Sequence, residues 1–117
     1  DLAIELCPDW ANFYSAMAYP GSKLYDLALT NGTALPDTWV GYSQHAYEAL
    51  PLPTDHVSAA AVLQFRDQAF HTFFEHPQYL AHVERRFGQD TVAHIQSMTA
   101  HRLKRKFADA PLQPEAA

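Results

Sequence analysis

The chain has 117 residues, 48% of them hydrophobic and 13% aromatic, which suits one modest buried core and excludes a disordered or fibrous chain. Its formal net charge of -5 is uneven: residues 1–83 carry two basic and nine acidic side chains, whereas residues 84–106 carry six basic and two acidic ones. No apolar run approaches the roughly 20 residues that span a bilayer, the first residues lack the order of a signal peptide, and the single cysteine, Cys7, excludes an internal disulfide or an all-cysteine metal site. The expectation is a cytoplasmic protein with no membrane span.

Asp1 to Leu6 reads as the last turn of a helix, ended by Pro8. Residues 11–18, after Trp10, read as a strand, and Tyr19-Pro20-Gly21-Ser22 as a tight turn. Ser22 then caps a short helix holding Leu24, Tyr25, Leu27, Ala28 and Leu29, closed by Asn31-Gly32. Strand, turn and helix in this order form the unit of a parallel α/β sheet. A lone strand leaves both edges unpaired, so the chain is expected to be the tail of a larger protein. Residues 33–57, with Pro36, Pro51 and Pro53, read as an ordered but irregular linker pinned by Trp39, Tyr42 and Tyr47.

The rest reads as helical. A first long helix is expected from a Ser58 cap to about Glu75, with Val62, Phe65, Ala69, Phe70 and Phe73 as its apolar stripe. Pro77 opens a second, in which Tyr79, Leu80, Val83 and Phe87 share a face before Gly88 ends it. A third is expected at about 90–107, capped by Asp90, with Val92, Ile95, Met98, Thr99, Leu103 and Phe107 in period. The fold class is therefore mainly α: a strand–turn–helix unit (1–32), the linker (33–57), a three-helix extension (58–108) and a disordered tail (109–117).

Seven histidines raise the question of metal. His71 and Glu75 stand four apart on one helix, and His94 and His101 seven apart on another, but two ligands do not make a site and no HExxH pattern completes one. Tyr25 with Asp26 and His45 with Glu48 are the nearest approach to acid–base pairs, and ordinary packing accounts for them. Arg102, Lys104, Arg105 and Lys106 are read as helix-terminal cations facing water, so no nucleic-acid partner is expected. Pro20-Gly21-Ser22 is the exception. Such a turn brings backbone N–H groups to the C-terminal edge of a strand, where parallel α/β sheets and barrels bind ligands.

Residues 12–28, NFYSAMAYPGSKLYDLA, resemble the closing strand, Pro-Gly-Ser/Thr turn and helix of a radical S-adenosylmethionine barrel. With TWVGYSQHAYEALPLPT (38–54) and LQFRDQAF (63–70), the chain is similar to the C-terminal extension of cobalamin-binding radical S-adenosylmethionine proteins. That group contains anaerobic magnesium-protoporphyrin IX monomethyl ester cyclase and related methyltransferases, and the similarity covers about residues 1–80. The family's CxxxCxxC and DxHxxG motifs are absent from these residues. The resemblance implies an iron–sulfur parent enzyme, of methyltransferase or oxidative cyclase type, using S-adenosylmethionine, a [4Fe-4S] cluster and, in the cobalamin-binding branch, cobalamin. It implies no cofactor and no catalysis in this chain. Residues 1–32 would end the barrel, Pro20, Gly21 and Ser22 would lie on its rim near the cofactor, and the extension would close it and shape the substrate side. The partner would be the remainder of the parent chain, and the isolated chain would self-associate through its strand edge and uncovered apolar face. The competing account is a non-enzymatic helical protein–protein interaction module, binding through the Phe65/Phe70/Phe73/Phe74 stripe.

Overall fold

The computed structural model describes residues 1–108, and the expected tail at 109–117 lies outside them. The described residues are mainly helical: α1 Leu2–Leu6, α2 Lys23–Thr30, a 3₁₀ turn Trp39–Tyr42, α3 Ala59–Phe74, α4 Pro77–Phe87 and α5 Gln89–Thr99. None of these helices is long and apolar enough to cross a membrane. Two compact units interleave along the chain, residues 1–13 with 67–102 and residues 14–66 with 103 onward, so the division falls inside α3.

No strand forms among the described residues, and 11–18 lie outside regular structure. The strand expected there is absent because a strand exists only as one member of a ladder. What pairs this stretch instead is irregular. Ser15 is held by the Gln44 side chain and Ala16 C=O accepts from Leu52 N–H at 2.9 Å.

The first unit is built on aromatic packing. Phe73, Phe74, Tyr79, Val83, Val92 and Ile95 form its buried cluster, and α4 packs on α5. The Phe73 and Tyr79 rings lie 4.5 Å apart, and Trp10 lies 4.8 Å from Phe74. Asp9 ties the N-terminal segment to α4. Its carboxylate accepts from His82 Nε2 at 2.7 Å and Arg86 Nε at 3.1 Å, while its C=O accepts from the Tyr79 hydroxyl at 3.1 Å. Local chemistry sets the helix ends. His76 caps α4 with Nδ1 accepting from Gln78 N–H, Pro77 occupies the first turn, and Gly88 at φ 87 ends it. Gly88 also precedes α5, so Asp90 sits in the first turn rather than at the cap. Cys7, in the left-handed region at φ 43, closes α1 with its N–H on Ala3 C=O.

The expected helix over 90–107 stops at Thr99. Beyond it, Lys106 N–H donates to Tyr47 C=O at 2.8 Å, a bond a continuing helix would have spent on itself, and the Arg105 side chain donates through Nη1 to Ala46 C=O at 2.9 Å. The expected exterior cation Arg105 is accordingly buried, at 4% exposure. These bonds belong to the second unit, whose cluster is Met17, Ala49, Leu63 and Ala108 with Tyr42 and Phe107 packed against it. Of the aromatics expected to pin the linker only Tyr42 does so, since Trp39 and Tyr47 are exposed. Gly41 is buried in the 3₁₀ turn, where a Cβ would overlap Pro36 Cβ and touch Glu48 C=O. Gly41→Ala is therefore expected to cost about 1–3 kcal/mol in urea unfolding, because neither a proline ring nor a main-chain carbonyl can rotate away.

Burial pushes the Tyr79 hydroxyl above its ordinary value, with Asp9 and Cys7 adding. The folded chain thus holds this proton more tightly than the unfolded one. The resulting stability is complete below the ordinary value of 10.0 and lost as pH rises through the folded value. The stability difference between the native chain and Tyr79→Phe is expected to shrink as pH rises through that range, read from urea midpoints along an alkaline series.

Candidate functional site

The Pro20-Gly21-Ser22 turn is formed by rules legible in its residues. Pro presets one dihedral, Gly21 takes φ 88, and Ser22 N–H returns to Tyr19 C=O at 3.1 Å, the bond of a type II turn. Ser22 Oγ donates to Tyr19 C=O at 2.7 Å and accepts from Tyr25 N–H at 3.1 Å, capping α2.

On either side of this turn, Tyr19 and Leu24 enter the wall of an open cleft of about 600 Å³ in the second unit. Tyr14, Ser15, Tyr42, Gln44 and His45 complete most of its lining. Gln44 is the element with no signal in the sequence. Its Oε1 accepts from Ser15 N–H and its Nε2 donates to Ser15 C=O, both at 2.9 Å, so one amide satisfies a whole residue as a neighbouring strand would. The other Nε2 hydrogen points to the Tyr19 hydroxyl at 3.4 Å. His45 Nε2 lies 3.0 Å from Arg66 Nη2. A guanidinium only donates, so Nε2 accepts, the ring proton sits on Nδ1 and the imidazole is neutral. Residues 44–47 thus serve as a hub: Gln44 holds Ser15, His45 meets Arg66, Ala46 meets Arg105 and Tyr47 meets Lys106.

Burial and the neighbouring Tyr25 raise the Tyr42 hydroxyl above its ordinary value, so it is a neutral group at physiological pH. Ser15 Oγ is buried with no hydrogen-bond partner among the described residues. Ser15→Ala is expected to leave stability unchanged or raise it by up to about 1 kcal/mol, since it removes an unsatisfied hydroxyl at nearly constant volume. A urea midpoint that falls would contradict this.

The other candidates separate. His71 Nδ1 donates to Glu75 Oε1 at 2.9 Å, and Arg102 reaches the same oxygen at 3.1 Å, which makes the pair part of an ion-pair cluster. No group of three or more His, Cys, Asp or Glu that could hold a metal ion occurs among the described residues. Tyr25 and Asp26 spend their main-chain N–H groups on Ser22 in the first turn of α2. No protein-family model, curated protein or solved structure matches the chain.

Proposed function

We propose that this chain is the C-terminal, non-catalytic part of a radical S-adenosylmethionine enzyme, in which residues 11–18 and α2 complete an α/β barrel and the following residues shape its substrate side. The observation that carries the reading is α2 itself. It buries only Ala28 and leaves Leu24 and Leu27, one turn apart on the same side, at 43% and 54% exposure, an apolar face that a helix following a barrel strand would lay against the sheet. In this reading Pro20, Gly21 and Ser22 lie on the barrel rim and the rest of the parent chain supplies the [4Fe-4S] cluster, S-adenosylmethionine and cobalamin sites, in the cytoplasm. Cys7, partly buried against the first unit's core, offers no cluster set by itself. The interaction-module account loses most of its surface, since Phe70, Phe73 and Phe74 pack into that core and Phe65 alone stands out at 73% exposure.

The test is the full parental reading frame expressed anaerobically, assayed for iron, cobalamin and reductive cleavage of S-adenosylmethionine, with the 117-residue chain as blank. Cleavage by the parent, a silent blank, and loss of turnover on deleting residues 55–117 are expected. A parent without iron or cleavage overturns the reading and leaves the helical interaction module.

A further inference from the structure

The geometry points to a binding site in the Tyr14–Tyr19–Tyr42 cleft for an uncharged planar ring that carries a hydrogen-bond acceptor. The cleft's size, about 600 Å³, falls within the range of small-molecule sites. Its chemistry selects the ligand. Among the described residues no carboxylate, ammonium or guanidinium lines it, and the one imidazole that does, His45, is neutral because Arg66 donates to its Nε2. A charged ligand would therefore lose water without meeting an opposite charge. Three phenol rings offer stacking surface instead: Tyr19 and Tyr42 lie 6.0 Å apart at 36°, and Tyr14 is 65% exposed on the same wall.

One polar contact is already aimed. The Gln44 amide is locked by its two bonds to Ser15, and its remaining hydrogen goes to the Tyr19 oxygen. The Tyr19 hydroxyl accepts there, so its own proton is left to donate to a ligand carbonyl or ring nitrogen. Leu24, at 43% exposure, adds an apolar side chain to the lining that a ring can pack on. This inference rests on the cleft being a functional surface and does not depend on the enzyme family, so it is tested on the 117-residue chain while the family is tested on the parent.

The probe is benzamide, titrated into the ¹⁵N-labelled chain and followed by amide and tyrosine ring resonances, with cyclohexanecarboxamide and benzoate as comparators. Benzamide is expected to shift residues 14–19 and 42–45 saturably, with a dissociation constant on the order of 1 mM for so small a ligand. The saturated and charged analogues are expected to bind roughly ten-fold more weakly. Tyr19→Phe, which keeps the ring and removes the donor, and Tyr14→Ala, at an exposed position, are each expected to weaken benzamide by roughly ten-fold with amide dispersion unchanged. Phe65→Ala, an exposed aromatic outside the cleft, is expected to leave binding intact. Equal binding of cyclohexanecarboxamide, equal weakening by Phe65→Ala, or no saturable shift by about 10 mM overturns the proposal.

Discussion

Phe73→Ala is expected to destabilise the chain by about 3–5 kcal/mol, the largest effect of any single truncation in the first unit. Phe73 is 1% exposed and stands at the centre of that unit's aromatic packing, with ring centroids 4.5 Å from Tyr79, 5.0 Å from Phe74 and 5.8 Å from Phe13. Removing the ring forfeits its transfer free energy and three aromatic contacts. It also leaves a void whose walls cannot close, because Tyr79 is tethered to Asp9 C=O by its hydroxyl. A total stability of about 5–15 kcal/mol is usual for a native domain, so this loss would bring the variant to the edge of folding. The measurement is the urea midpoint by circular dichroism at constant slope. A loss below about 1 kcal/mol would mean that Phe73 is not in a packed core.

Leu63→Ala is expected to cost about 2–5 kcal/mol, whereas Phe65→Ala two positions away is expected to change stability by less than about 0.5 kcal/mol. Leu63 is 0% exposed and belongs to a buried cluster of four among the described residues, so each of them carries a large share of that core. Phe65 lies at 73% exposure. This pair inverts the stripe read from the sequence, which put Val62 and Phe65 toward the core. In the fold the inward face of this half of α3 is Leu63 and Arg66, the latter 6% exposed and meeting His45. If the two substitutions proved equal, or Phe65 the costlier, the orientation of α3 described here would be wrong.

The inversion has a physical reason. Hydrophobic periodicity ranks helix faces by apolar content, and two faces of α3 offset by one residue score alike. An arginine counts as polar in any such ranking, yet its stem packs like a hydrophobe and its guanidinium needs only acceptors at the right place. Those acceptors lie in the irregular 44–47 hub, whose residues carry no motif. The same hub competes with a longer α5, since the Tyr47 carbonyl takes the Lys106 N–H from a segment whose apolar period, through Leu103 and Phe107, continued the helix on paper. The cleft was half visible: the Tyr19–Ser22 turn could be read from Pro-Gly-Ser, but Gln44, which secures it through Ser15, stands 29 residues from its partner.

By itself the sequence determined most features whose cause lies within a few residues, the cap expected at Asp90 being an exception. Ser22 at the start of α2, His76-Pro77 at the start of α4, Gly88 between α4 and α5, the type II turn at Pro20-Gly21 and the irregular course of 33–57 all follow from caps, ring constraints and permitted dihedrals. Only the tertiary structure decided which face of α3 turns inward, where α5 stops, that Arg105 is buried, and that residues 11–18 are held by a glutamine amide rather than a neighbouring strand. Each of these depends on a partner far along the chain, and the free energy of such a contact resides in a pairing that no local window contains.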